Sequence, residues 1–190
     1  MSRVTKILLA GQVLLFVAIA ICTILMPQFF FSTDQGGMSN YGLHARTSPF
    51  FIVGFAGCAF LTCLAALSLP RAIPHYSELR VSLLIVGVLG LLMAVTTFTY
   101  KLNPMLNVLH VRGAQFLALL EAVISTWYVR RLVKDHINRI AYGVLLIGLV
   151  VGIFTVLGAL HLLFTAEFLA SLGFGIVAVH TVDALTSQKD

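Results

Sequence analysis

The stretch Ile7–Met26, ILLAGQVLLFVAIAICTILM, runs from end to end without a charged side chain. Preceded by Arg3 and Lys6 and containing Ala18-Ile19-Ala20, it has the outline of a secretory leader with a small-residue cleavage site. Leader cores occupy only about 7–15 residues, whereas a helix needs about 20 apolar residues to cross the hydrocarbon of a bilayer. This stretch has the greater length and is closed by Pro27, so it reads as a retained membrane span.

Five more stretches of the same kind follow, giving spans at 6–26, 49–69, 80–100, 110–129, 140–164 and 166–185. The composition agrees, with 59% of residues hydrophobic, 10% charged and a mean hydropathy of +1.02. A soluble domain carries about a quarter of charged residues. Lipid offers no partner to a peptide N–H or C=O, so each span must be helical, and the alternation expected of strands is missing. The expected fold is all-α, a polytopic bundle of six transmembrane helices forming one integral membrane domain over residues 1–190. Such a chain leaves no room for a separate soluble domain.

The net charge of +5 does not point to nucleic acid, because the basic residues sit between spans. With the N-terminus inside, nine Lys and Arg face the cytoplasm (Arg3, Lys6, Arg71, Arg80, Arg130, Arg131, Lys134, Arg139 and Lys189) and three face out (Arg46, Lys101 and Arg112). The positive-inside rule therefore expects a multi-pass protein of the cell membrane with both termini cytoplasmic. The basic loop RRLVKDHINR, Arg130–Arg139, serves first as a topology anchor, with attraction to anionic lipid as its functional alternative. Membrane lipids are the expected partners. Cys22, Cys58 and Cys63 fall inside spans with no CxxC pairing, and no cofactor is expected.

Spans associate in lipid through close packing at small residues. Gly148 and Gly152, Ala114, Ala118 and Ala122, and Gly54 and Gly57 supply such faces, which suit a packed bundle and a homo-oligomer equally. The segments LLIVGVLGLLMAVTTF from Leu83 and LLIGLVVGIFTVLGAL from Leu145 look alike, consistent with a duplicated helix pair.

Glu121 lies near the middle of the fourth span, where a carboxylate costs several kcal/mol unless neutralised, solvated or paired. Ala118 and Ser125 share its face. It is either a proton or cation site, or a neutral acid bonded to a neighbouring helix. His180 and Asp183, at i and i+3, form an interfacial polar cluster expected to meet Arg80 or Arg139, or else a proton relay.

The polar run TDQGGMSNYGLHARTSP, Thr33–Pro49, is the main part of the long outer loop 27–48 and must cap the outer mouth of the bundle. Gly36, Gly37 and Gly42 permit tight turns, Asn40 and Asp34 can bond turn amides, and Pro49 starts a helix. It is a folded lid or a binding loop in which His44 and Arg46 face an anionic group. Threading brings His110, Arg112, His161 and Glu167 to the same rim. His44, His110, His161 and Asp34 would suffice for a catalytic zinc with an open position, yet no HExxH spacing supports one, and a haem held by His110 and His161 has less support still.

The segments MSNYG, Met38–Gly42, and SPFFIVGFAGCAFLTCLAAL, Ser48–Leu67, together resemble the prokaryotic six-span family of unknown function called DUF998. That family is similar in broad shape to the Frag1/DRAM/Sfk1 membrane proteins, and its acidic position before the glycine is Asn40-Tyr41 here. The resemblance implies a six-helix bundle with no established enzyme activity and no catalytic set to carry over.

The function expected is non-enzymatic binding or handling of a lipid or small amphiphile at the outer leaflet. His44, Arg46, His110 and Arg112 would contact the polar head with Glu121 below, in a cavity lined by polar residues of the second, fourth and fifth spans. The alternatives are a transporter or channel coupled to protons at Glu121, and a metal-dependent intramembrane hydrolase using the outer histidines. Walker and GxSxG patterns are missing, which leaves ATP-driven transport and the common hydrolase layouts without support.

Overall fold

The computed structural model describes residues 1–31, 37–97 and 103–187. Among them there is helix and no strand. The elements are α1 (Arg3–Leu25), α2 (Gln28–Phe31), α3 (Asn40–Leu43), α4 (Ser48–Leu67), α5 (Tyr76–Thr97), α6 (Pro104–Trp127), α7 (His136–Val156) and α8 (Leu163–Thr186). A π-helical turn, Tyr128–Leu132, extends α6. Six helices are long and apolar enough to cross a membrane, as the sequence predicts.

Helix ends follow local chemistry that hydropathy alone does not report. The α6 helix begins at Pro104, before the predicted 110, because the Asn103 side chain accepts from the Met105 and Leu106 amides at 2.9 and 3.3 Å. At its other end α7 stops at Val156 rather than 164. Gly158 takes φ 77, its amide bonds Thr155 O at 3.0 Å, and the Ala159 amide bonds Phe154 O at 2.9 Å. This left-handed glycine cap satisfies the last carbonyls and turns the chain while the sequence is still apolar. Ser2 and Asp135 cap α1 and α7 by accepting from Thr5 N and Asn138 N.

The α1, α4 and α5 helices pack side by side, and α7 packs on α8; α1 meets α8, and α6 lies against α5, α7 and α8. Thr186 donates to Ser2 Oγ at 2.9 Å, placing the start of α1 beside the end of α8 at one end of the bundle. A core of Leu8, Leu79, Leu83, Tyr128, Leu145 and Val177 fills that end. A second core, with Leu15, Ile19, Cys22, Tyr41, Phe51 and Phe164, fills the opposite end, beneath the loop that carries α3.

The tightest seam is α7 on α8. A Cβ on Gly148 would lie 2.6 Å from Ala170 N and 2.7 Å from Ala166 O; one on Gly173 would lie 2.5 Å from Leu145 N and 2.6 Å from Ala141 O. Gly148 therefore works with Gly173 rather than with Gly152, whose added Cβ would be 3.5 Å from Ala166 Cβ. Gly54 in α4 is pressed against Ala18 of α1, and Gly57 against the Leu14 side chain. Ala114 and Ala118 do not form a helix seam; they line a cavity.

Gly173→Val should destabilise the bundle by about 1–3 kcal/mol or more, since backbone atoms rather than a flexible side chain must yield. Gly143→Ala places its Cβ where nothing lies within 4 Å. Thermal unfolding in detergent, followed by circular dichroism, should show a large loss for the first and none for the second.

A candidate ligand cavity beneath a latched lid

Residues 37–47 close one end of the bundle. Gly37 has φ 57, and a Cβ there would collide with the Glu167 carboxyl group. The close approach lets the Met38 amide donate to Glu167 Oε2 at 2.6 Å. Ser39 Oγ lies 2.9 Å from His110 Nε2, and Thr96 Oγ1 lies 2.9 Å from His110 Nδ1. Since Thr96 also sits 3.1 Å from Leu92 O and Met93 O, its single proton goes to the backbone. That assigns the imidazole proton to Nδ1, donating to Thr96, and leaves Nε2 to accept from Ser39. The lid is thereby latched to α6 and α8, with His110 held in turn by Thr96 of α5.

Tyr41 anchors the lid from within. Its ring is fully buried, edge-on to Phe29 and Phe164 at centroid distances of 5.9 and 5.8 Å. Its hydroxyl lies 2.9 Å from Thr23 Oγ1, which donates to Ile19 O, so Tyr41 is the donor. Burial pushes the phenol above its ordinary value, the Thr23 bond opposes that, and proximity to Cys22 adds to it. The phenol therefore stays a neutral donor at neutral pH. Thr47 Oγ1 completes the anchor by donating to Tyr41 O at 2.7 Å.

Below the lid is a cavity of about 140 Å³. Every spanning helix except α7 lines it. Its polar groups include Gln12 of α1, Thr62 of α4, His110 and Glu121 of α6, and Glu167 and Ser171 of α8; its apolar walls include Phe51, Phe55, Met93 and Phe174. No Lys or Arg lines it among the described residues. Gln12 donates from Nε2 to Cys58 Sγ at 3.5 Å, while its buried Oε1 has no partner among the described residues. A mostly apolar cavity with a few converging polar groups is the usual form of a small-molecule site.

Of the residues singled out in the sequence, His110, Glu121 and Glu167 line this cavity. His44 does not; its ring lies against Phe29 at 4.8 Å. Arg46 and Arg112 are exposed, and Arg112 bonds its neighbour Gln115 at 3.2 Å. His161 is exposed in the turn between α7 and α8. Asp34 lies outside the described residues. Among the described residues no three His, Cys, Asp or Glu side chains come together as a metal site, so His44, His110 and His161 share a rim without converging.

Two further expectations are corrected. The fifth span, α7, contributes nothing to the lining, because its Gly148 face is turned onto α8. His180 meets neither Arg80 nor Arg139; its Nδ1 lies 3.1 Å from Asp135 Oδ2, and Asp183 accepts from Ser187 instead. Gln12 and Ser171 were not singled out from sequence, though each is a polar residue inside an apolar span, which is the signal that marks Glu121.

Fold and cavity define a multi-pass α-helical membrane protein with an internal chamber. Compared with protein-family models, curated proteins and solved structures, the chain matches none.

The latch is testable by amide exchange. Glu167→Ala should speed exchange at the Met38 amide about tenfold, since its hydrogen-bond acceptor is lost, whereas Glu167→Gln keeps a carbonyl acceptor and should change it little. Tyr41→Phe should cost about 1 kcal/mol through the lost hydroxyl bond, and Tyr41→Ala about 3–5 kcal/mol through the cavity left behind, both read as shifts in thermal unfolding.

Proposed function

We propose that the protein is a membrane carrier that binds a small cationic or amine-bearing molecule in the chamber beneath the lid and exchanges it for protons on Glu121 and Glu167. The observation that carries this proposal is the lining: two carboxyl groups, an imidazole and an unpartnered amide oxygen without one Lys or Arg among the described residues. A buried carboxylate is costly unless a cation or a proton neutralises it, and two such groups in one chamber can trade one for the other. The aromatic walls favour an organic cation, whose charge is attracted to ring faces. At about 140 Å³ the chamber is close to the size that accommodates a benzene-like molecule.

The count of nine basic residues against three supports placing both termini in the cytoplasm and the lid outside, in the cell membrane. Lipid or amphiphile handling at the outer leaflet is a second function, favoured by Arg46 and Arg112, which are exposed at the lid end where anionic headgroups would lie.

Binding to the detergent-purified protein distinguishes these functions. Benzylamine should bind, benzyl alcohol of nearly the same shape should bind at least about tenfold more weakly, and Glu121→Gln should erase the difference. In proteoliposomes with an internal pH dye, inward movement of the amine should drive protons out. Equal binding of the alcohol and the amine would remove the cationic ligand.

A further inference from the structure

At the end of the bundle away from the lid, a groove opens between the start of α5 and the end of α6, lined by His75, Glu78, Ser82, Trp127 and Arg131. We propose that this groove binds the headgroup of a zwitterionic phospholipid, with Arg131 on the phosphate, Glu78 on the ammonium, and Trp127 beside it. The site is separate from the chamber and does not rest on the carrier function.

Two irregular pieces of backbone flank the groove. His75 precedes α5 with φ 56, the one non-glycine residue with positive φ among those described. Its ring stands edge-on to Trp127 at 5.9 Å, and its Nδ1 lies 3.7 Å from Glu78 Oε1. Opposite, Arg131 stands on the π turn that ends α6, and the wider turn sets its position relative to Trp127. Ser82 Oγ donates to Leu79 O and, 2.7 Å from the hydroxyl of fully buried Tyr128, accepts from it, which ties the two helices together under the groove.

Charge and placement select the ligand. Glu78 and Arg131 line one groove with opposite charge, and no ion pair joins them among the described residues. An anion alone would leave Glu78 opposed to it, and a cation alone would leave Arg131 so; a phosphate joined to an ammonium satisfies both. The same helix faces continue as hydrocarbon. Ile85 follows Ser82 on α5, and Val123 and Phe116 precede Trp127 on α6 at intervals of one and three turns, all exposed. A polar groove continued by an apolar track matches a headgroup joined to acyl chains.

Trp127 is the only tryptophan in the chain, so its emission reports this groove alone. The full-length protein in maltoside micelles would be titrated with dihexanoyl phosphatidylethanolamine, dihexanoyl phosphatidylglycerol and free phosphoethanolamine. The zwitterionic lipid is expected to give a saturable change in emission at least about tenfold tighter than the other two. Arg131→Gln should weaken it by about that factor, and Glu78→Gln should abolish the preference over phosphatidylglycerol. Both side chains are largely exposed, and unchanged thermal unfolding would show that neither variant acts through folding. Equal response to the two lipids, or an unchanged titration in both variants, would overturn the proposal. Free phosphoethanolamine binding as tightly as the lipid would overturn the assignment to a lipid.

Discussion

A peptide group in hydrocarbon has no water to bond, and everything in this molecule depends on that. Each span closes its own N–H and C=O groups as a helix, and the groups left over at helix ends find named partners: Asn103 for α6, Asp135 for α7, and the Gly158 turn beyond Val156. Once backbones are self-satisfied, close packing and a few side-chain bonds, such as Ser82 to Tyr128, hold one helix to another. The α7–α8 seam shows how close that contact becomes, with Gly148 and Gly173 each set against the other helix's main chain.

The same constraint makes the interior polar groups informative. Glu121, Glu167, Gln12 and His110 occupy positions where leucine would pack at no electrostatic cost, and they gather in one chamber instead of scattering through the bundle. Two of them do double duty. Glu167 and His110 line the chamber and also bond the lid, at Met38 and Ser39, so the cap over the chamber is held by the chamber's own walls.

What the sequence made legible follows from which signals are local. Six spans, the capping role of the loop around Met38–Gly42, and Glu121 as an acid inside the bundle could be read because hydropathy and the cost of a charge belong to single positions. Partner choice could not. Whether Gly148 would face Ala166 and Ala170 of α8, and whether His180 would find Arg139 or Asp135, depends on the rotation of one helix about its axis relative to another. Apolar residues on every side leave that rotation nearly unmarked. His44, His110 and His161 illustrate the gap: threading sets them at one rim, while helix rotation and lid packing send His110 inward, His44 onto Phe29 and His161 to the exposed surface.

The length of the fourth span carries one more consequence. With its π turn, Pro104–Leu132 is 29 residues long, against 20 to 24 for the other five. At 1.5 Å per residue it is roughly 43 Å long, well beyond a hydrocarbon layer of about 30 Å. Such a rod must lean or stand proud of the bilayer, and its lean grows as the bilayer thins. Because it also forms one wall of the chamber, through Ala114, Ala118 and Glu121, hydrophobic mismatch bears directly on the width of that space. A thinner bilayer that increased this lean would therefore alter the interior of the protein mechanically, with no ligand required.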